Sequence, residues 1–396
     1  MKKSRNWFLL ASSLIAASLC GAALAKDAPS ARARDLGVPF DGAPGPLNAI
    51  TDVAGVTVGQ VTIIKDYKSG HKARTGVTAI LPRGEKSLND PSFAATFVMN
   101  GNGDMTGTQW VNESGELEGP VMLTNTHSVG VVRDGTIAWR IKKGGADSSG
   151  YWWSLPVVAE TWDGHLNDIN GFHVTEADAG RALEAAKGGP VAEGNVGGGT
   201  GMICHEFKCG IGTASRVVKG PDGEFTVGVL VQANYGVRDT LRIAGVPVGH
   251  YLRNDRIYTE DDPDAGDTGS IIIVVATDAP LLPHQLKRIV KRAAMGLARN
   301  GSYAGNGSGD IFIAFSTADP APSQEGDAQE FKALTNGRLD PLFLATVEAT
   351  EEAIINAMIA AKDMTGEDGH YAKAIDHKAL QDVLGRFNRL EKPSGE

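Results

Sequence analysis

The chain has 396 residues, of which 42% are hydrophobic and 21% charged, and its formal net charge is −9. An apolar fraction of this size excludes a largely disordered chain, and the acidic balance argues against a nucleic acid partner. Glycine contributes 50 residues with no three-residue repeat, which excludes collagen and leaves the excess needing a local explanation.

The N-terminus has the pattern of a secretory signal peptide over residues 1–25. A basic start at 2–5 precedes an apolar stretch at 7–19 and a small-residue cleavage site at 23–25. An uncleaved membrane anchor is the alternative, but the apolar stretch is short and ends in small residues. We expect export across the inner membrane into the periplasm and no membrane association after cleavage. The mature chain, 26–396, would then carry a charge of −12.

Both strands and helices are predicted along the chain. Runs of β-branched residues predict strands at 53–64, 78–81, 93–99, 137–141, 225–233, 271–276 and 311–315. Helical spacing or composition predicts helices at 175–187, 284–298, 341–362 and 377–387. The spacing is clearest in 284–298, where Pro283 is well placed to open the helix. The mixture favours sheets packed together with helices outside them.

Two connecting segments have unusual compositions. Seven of the 14 residues from 188 to 201 are glycine, so the backbone there is free to approach another segment or a ligand closely. The segment does not open a helix after a strand, which makes a dinucleotide loop a weak interpretation. The acidic, turn-rich segment 259–269 is predicted to be an exposed loop.

The cysteine spacing and the absence of several motifs argue against a metal or cofactor site. Cys204 and Cys209 remain after signal cleavage, and they form either a local disulfide or two free thiols. A metal site is disfavoured because no second pair of ligands has zinc spacing. The sequence also lacks H-E-x-x-H, G-x-S-x-G and Walker A motifs, so we expect no metal and no cofactor.

The junction Gly269-Ser270 is a candidate for self-cleavage. It ends the acidic segment and begins the apolar strand 271–276. Glycine tolerates the geometry that brings a hydroxyl onto its own preceding carbonyl, and cleavage would free an α-amino group with a pKa near 7.7–8.0 that can act as a base. Taken alone, the dipeptide favours an ordinary Gly-Ser turn before a strand.

Many short motifs in consistent order resemble one family of enzymes. They are Arg34–Gly37, Leu47–Val56, Arg74–Thr78, Asn167–Gly171, Gly194–Met202, Gly210–Arg216, Val229–Asn234, Gly269-Ser270, Ala276–Pro280 and Asn306–Asp310. In these residues the sequence resembles the L-aminopeptidase D-amidase/D-esterase family, which includes the β-peptidyl aminopeptidases. The resemblance implies an α/β (α+β) fold, a four-layer αββα sandwich related to the ornithine acetyltransferases. It also implies a homo-oligomer of processed heterodimers.

The resemblance assigns catalytic roles by position. Ser270 would be both the residue that cuts the chain after Gly269 and the nucleophile of the mature enzyme. Asn234, at the end of a predicted strand, would donate to the oxyanion. Ser308 would hydrogen-bond at the nucleophile and be held by Asp310.

Two further residues would contact the substrate. Glu160 would pair with its free ammonium group, although the sequence alone is equally consistent with a surface glutamate. Trp162 stands where some family members have a tyrosine that assists the oxyanion or acyl intermediate. Because an indole has no hydroxyl, that role is in doubt, and Trp162 is expected to wall the pocket instead.

These assignments predict a self-processing serine aminopeptidase whose two chains, 26–269 and 270–396, form one catalytic domain. Its substrates would be short peptides, amino-acid amides or esters, with L-, D- and β-aminoacyl preference left open. One alternative is an acyltransferase of the ornithine acetyltransferase type, which normally has threonine at position 270. The other is an inactive binding protein on the same fold, and the presence of Ser270 and its predicted partners argues against it.

Overall fold

The computed structural model describes residues 31–144, 153–221, 223–258, 266–267, 269–322 and 328–391. The predicted signal peptide and most of the acidic segment lie outside these residues. Residues from Ala31 onward form one compact unit. Within the described ranges, no helix has the length and apolar character needed to cross a membrane.

Runs of strands are interrupted by single α-helices along the chain, and turns and short 3₁₀ helices join them. The strands are β1 (Thr57–Asp66), β2 (Lys72–Glu85), β3 (Ser92–Gly101), β4 (Glu116–Leu117), β5 (Val121–Asn125), β6 (Val157–Thr161), β7 (Ile203–Cys204), β8 (Phe207–Lys208), β9 (Ile211–Gly220), β10 (Gly223–Asn234), β11 (Ser270–Thr277), β12 (Gly309–Ser316), β13 (Met364–Thr365) and β14 (Tyr371–Ala372). The α-helices are α1 (Thr108–Ser114), α2 (Val129–Lys143), α3 (Glu176–Glu184), α4 (Pro283–Arg299), α5 (Asp340–Ile359) and α6 (His377–Arg386).

The larger strands build two sheets. One has four strands in the order β1-β2-β5-β6, and the other has six in the order β4-β3-β12-β11-β10-β9. In the six-stranded sheet, β11 lies at the centre, antiparallel to β10 and parallel to β12. Two small ribbons, β7-β8 and β13-β14, lie outside these sheets.

Three buried clusters show that the sheets and helices stack in four layers. One cluster joins α2 and α3 to the four-stranded sheet, a second fills the space between the sheets, and a third joins the six-stranded sheet to α4 and α5. β11 contributes to two of them, because Ile271 and Ile273 face the helices while Ile272 and Val274 face the other sheet. The predicted αββα sandwich is therefore confirmed.

One predicted element is wrong. Residues 137–141, expected to be a strand, lie inside α2. The buried positions of α2 include Val129, Val132, Thr136 and Trp139, which follow helical rather than alternating spacing. This spacing places one face of α2 against the sheet, although the segment itself is rich in β-branched residues.

Candidate active site

The strand register brings the predicted nucleophile and its neighbours to one end of the six-stranded sheet. Ser270 is the first residue of β11 and is 5% exposed. It lies opposite Asn234, the last residue of β10, and opposite Gly309, the first residue of β12. These residues are far apart in sequence. They meet because β10 ends, and β11 and β12 begin, at the same end of the sheet.

The amide of Gly309 is directed at the Gly269–Ser270 junction. Its nitrogen lies 3.2 Å from the carbonyl oxygen of Gly269 and 3.2 Å from Ser270 Oγ. A backbone N–H so placed stabilises negative charge that develops on the carbonyl oxygen. The chain thus supplies a donor at the bond where self-cleavage is predicted.

Asn234 is fixed beside the junction by a small ribbon. Its Oδ1 accepts the N–H of Ile203 at 2.8 Å, so its Nδ2 is the end that can donate to a bound oxygen. Ile203 begins the β7-β8 ribbon, which a disulfide between Cys204 and Cys209 closes. The disulfide is therefore the form that the structure shows for this cysteine pair.

Ser308 and Asp310 form a buried pair next to Gly309. Ser308 Oγ donates to Asp310 Oδ1 at 2.7 Å, and both side chains are inaccessible to solvent. Burial raises the pKa of the Asp310 carboxyl from 3.8 to about 6, against the opposing effect of the Ser308 hydrogen bond. Among the described side chains, Ser308 makes no hydrogen bond to Ser270, whose Oγ accepts the Gly309 N–H instead.

Glu160 is a buried carboxylate on β6, only 3% exposed. Its oxygens accept the N–H of Asp104 at 3.0 Å and the hydroxyl of Thr126. Burial raises the pKa of the Glu160 carboxyl above 4.5, although both hydrogen bonds oppose the rise. A β-carbon at Gly103 would lie 3.1 Å from Glu160 Oε1 and 3.3 Å from Gly309 Cα, so Gly103 packs against both the carboxylate and the first residue of β12.

Trp162 walls a cleft beside the junction. The cleft is also lined by Asn234, Gly269 and Tyr258, and the indole is 43% exposed. The ring packs closely on Gly164, where a β-carbon would lie 2.6 Å from the indole. An aromatic wall held in this way can contact a substrate side chain.

The later part of the glycine-rich segment packs inside the protein and does not line the cleft. Gly197, Gly198 and Gly199 are buried, and a β-carbon at Gly198 would lie 2.8 Å from the carbonyl oxygen of Leu123 on β5. One at Gly199 would lie 2.6 Å from the backbone of Gly210. These glycines allow close packing against both sheets.

Sequence reasoning missed one donor of this site and one buried carboxylate in the segment that precedes it. The Gly309 N–H has no side-chain signal, and its role depends on strand register. Asp267 belongs to the acidic segment expected to be exposed, yet it is 4% exposed, and that expectation is wrong at this residue. The rest of the segment, except Gly266 and Gly269, lies outside the described residues.

Comparison with known proteins identifies the family. Residues 48–372 match peptidase family S58. The β-peptidyl aminopeptidase BapA of Sphingosinicella microcystinivorans is 50% identical over 394 residues, which cover 95% of this chain and 97% of that protein. BapA of Sphingosinicella xenopeptidilytica is 48% identical, with coverage of 90% and 92%.

Solved structures agree with this result. That of the L-aminopeptidase D-Ala-esterase/amidase from Ochrobactrum anthropi matches with a TM-score of 0.85 and 50% identity, over 91% of this chain and 99% of that one. The β-aminopeptidase of a Burkholderia species matches with a TM-score of 0.82 and 48% identity, over 90% and 99%. Sequence, fold and coverage agree, and this chain belongs to peptidase family S58.

Proposed function

We propose that this chain is a self-processing serine aminopeptidase that removes the N-terminal residue from short peptides, amino-acid amides or esters. The observation that carries the proposal is the junction itself, where one backbone amide contacts both the Gly269 carbonyl oxygen and Ser270 Oγ. The buried carboxylate of Glu160 supports the requirement for a free amine. Since the similar proteins are named as aminopeptidases and an amidase/esterase, the acyltransferase alternative is not favoured.

Processing would begin with attack of Ser270 Oγ on the carbonyl carbon of Gly269. A C–O bond forms, the C–N bond to Ser270 breaks, and the hydroxyl proton passes to the departing nitrogen. Water then hydrolyses the ester, leaving a carboxylate on Gly269 and a free hydroxyl and amine on Ser270. After removal of residues 1–25, the products would be chains 26–269 and 270–396 of one domain.

Turnover would reuse the same groups. The freed α-amino group of Ser270, with a reference pKa of about 7.7–8.0, takes the proton from Oγ as Oγ attacks the substrate carbonyl. Asn234 Nδ2 and the Gly309 N–H stabilise the oxyanion. The hydrogen bond between Ser308 and Asp310, which lie on either side of Gly309, would help to hold that residue in position. The proton then passes to the leaving amine, and water releases the acyl group from Ser270.

Substrate choice would be decided by two residues near the junction. The Glu160 carboxylate is placed to pair with the substrate ammonium, and charge-assisted hydrogen bonds of this kind are the strong ones. Trp162 would contact the side chain of the N-terminal residue. A panel of L-, D- and β³-aminoacyl p-nitroanilides would establish which of the three classes is preferred.

Export and assembly form the remaining part of the proposal. The signal-peptide pattern at 1–25 supports a periplasmic enzyme, and N-terminal sequencing of the exported protein is expected to find residue 26 first. The resemblance supports a homo-oligomer of processed heterodimers. Light scattering of purified protein would give its mass directly.

Denaturing electrophoresis tests the central proposal. The purified protein is expected to give fragments of 244 and 127 residues, for 26–269 and 270–396. Ser270→Ala is expected to stay as one band without activity. Ser316→Ala is the matched control, since Ser316 is also a buried serine but ends β12 and donates to Ala279. A wild-type protein that remains intact and hydrolyses none of the substrates would contradict the proposal.

A further inference from the structure

Asp267 is an anchored carboxylate just before the proposed cleavage site. It lies two residues before Gly269 and is 4% exposed. Its Oδ1 accepts the N–H of Gly236 at 2.9 Å, and its Oδ2 accepts the N–H of Gly305 at 3.2 Å. A carboxylate is costly to bury without such partners, so these two bonds hold the side chain in place.

The two partners of Asp267 belong to the loops that carry the site. Gly236 follows Asn234 by two residues, and Gly305 precedes Ser308 by three. The fit at Gly305 is close, because a β-carbon there would lie 2.8 Å from Asp267 Cβ and would overlap the Asp267 carbonyl oxygen. One side chain therefore ties the segment before the scissile bond to both loops.

This anchor matters because Ser270 must attack its own preceding carbonyl. On the downstream side, β11 is held by β10 and β12, with Ser270 opposite Asn234 and Gly309. Attack also requires that the Gly269 carbonyl be held from upstream, since a small misplacement of reacting atoms costs a large factor in rate. Asp267 is a described residue on that side, and its side chain is hydrogen-bonded to the loop that follows Asn234 and to the loop that precedes Ser308.

We propose that Asp267 is a positioning residue for self-cleavage at Gly269–Ser270, and that substrate turnover does not depend on it. The proposal rests on the self-processing function proposed above. It concerns the first step, in which the Ser270 Oγ–Gly269 carbon bond forms, the Gly269–Ser270 C–N bond breaks, and the hydroxyl proton moves to that nitrogen. Once the ester is hydrolysed, Asp267 is no longer covalently joined to the nucleophile and cannot restrain it through the chain.

The test is the rate of chain cleavage in Asp267→Asn. An amide keeps one acceptor oxygen but presents an NH2 group to the second backbone N–H, so one of the two bonds is lost. Conversion of precursor to the two fragments is expected to slow at least about tenfold. For the fraction that is processed, kcat and KM per titrated active site are each expected to stay within about twofold of wild type.

Asp52→Asn is the matched control. Asp52 likewise accepts two backbone N–H groups, from Leu47 at 2.9 Å and Ala49 at 3.1 Å. It also accepts the hydroxyl of Ser215, which lies opposite Gly228, six residues along β10 from Asn234. Folded Asp52→Asn is expected to be processed at the wild-type rate.

Three results would overturn the proposal: wild-type processing of Asp267→Asn, equal slowing in Asp52→Asn, or restoration of cleavage by hydroxylamine. Hydroxylamine cleaves esters, so restoration would mean that the ester forms normally and only its hydrolysis is slow. If Asp267→Asn does not fold, Gly305→Ala becomes the deciding variant. Its added methyl group would displace Asp267 and weaken the hydrogen bond between Gly305 and Asp267. Slow processing of folded Gly305→Ala supports the anchor, and an unchanged rate refutes it. Failure of the wild-type chain to be cut would instead count against the proposed function.

Discussion

Glu160→Gln removes a charge from the site while preserving shape. The carboxylate accepts hydrogen bonds from Asp104 and Thr126. The glutamine oxygen can still accept the Asp104 N–H, and its amide nitrogen can donate to the Thr126 hydroxyl. The variant is therefore expected to fold and to be processed, and what it loses is the attraction for a substrate ammonium.

The expected fall in kcat/KM of Glu160→Gln follows from the burial of this side chain. A hydrogen bond to a charged group contributes about 1.5–3 kcal/mol, and each 1.4 kcal/mol changes an equilibrium constant tenfold. With the side chain only 3% exposed, solvent screens the pair weakly. We expect kcat/KM for amine substrates to fall about 10- to 150-fold. Most of the loss should be in KM, because the ammonium is bound in the ground state as well as in the transition state.

The assay compares an aminoacyl p-nitroanilide with its des-amino analogue over a range of pH. Because burial raises the pKa of Glu160 above 4.5, kcat/KM for the amine substrate is expected to fall on the acid side as the carboxyl protonates. Glu160→Gln should abolish this part of the profile and leave the des-amino substrate unaffected. Equal losses on both substrates would refute the ammonium pairing and assign Glu160 a purely structural role.

Three further predictions concern neighbouring residues. Asn234→Ala is expected to lower kcat by about 10²–10³, as for other oxyanion donors, and an unchanged kcat in fully processed protein would exclude that role. Because burial raises the pKa of Asp310 from 3.8 to about 6, its contribution to stability is present below about pH 4 and is lost as pH rises through about 6. Thermal unfolding of the Ser270→Ala precursor, with and without Asp310→Asn, should show this difference in pH dependence. Reducing the Cys204–Cys209 disulfide, whose cysteines are five residues apart, is expected to lower the free energy of unfolding by about 2 kcal/mol in guanidinium titrations of that precursor.

The sequence predicted elements well where a local pattern also decides the packing. The apolar stripe at 284–298 corresponds to α4, Pro283–Arg299, because that stripe packs on the six-stranded sheet. The apolar run at 271–276 corresponds to β11, Ser270–Thr277, which is covered on both faces. In these cases local propensity and burial favour the same structure.

Prediction failed where short or buried segments carry conflicting signals. β5 and β6 were missed because each has five residues, all buried, so no alternation of exposure marks them. Residues 137–141 were assigned to a strand on β-branched content, although α2 buries residues at helical spacing. Tertiary packing determined the outcome at these positions.

The family resemblance proposes which side chains form the site, but it does not predict the contacts that hold them. Nothing in the sequence indicates that Ile203 fixes Asn234 or that Asp104 and Thr126 hold Glu160. These contacts join segments that only the strand order brings together. A sequence pattern can name a reactive residue, whereas its orientation depends on the whole fold.

The glycine excess has a physical basis at the proposed cleavage site that differs from flexibility. A β-carbon at Gly269 would lie 2.6 Å from Tyr235 Cα and would overlap the Asn234 carbonyl oxygen. One at Gly309 would lie 2.9 Å from Ser270 Oγ and would overlap the Asn102 carbonyl oxygen. A side chain at Gly269 would therefore push the junction away from the end of β10, and one at Gly309 would crowd both Asn102 and Ser270 Oγ. Either change would disturb the contact between the Gly309 N–H and the Gly269 carbonyl. Glycine fits both positions because the Gly309 N–H, the Gly269 carbonyl and Ser270 Oγ approach more closely than a β-carbon at either position would allow.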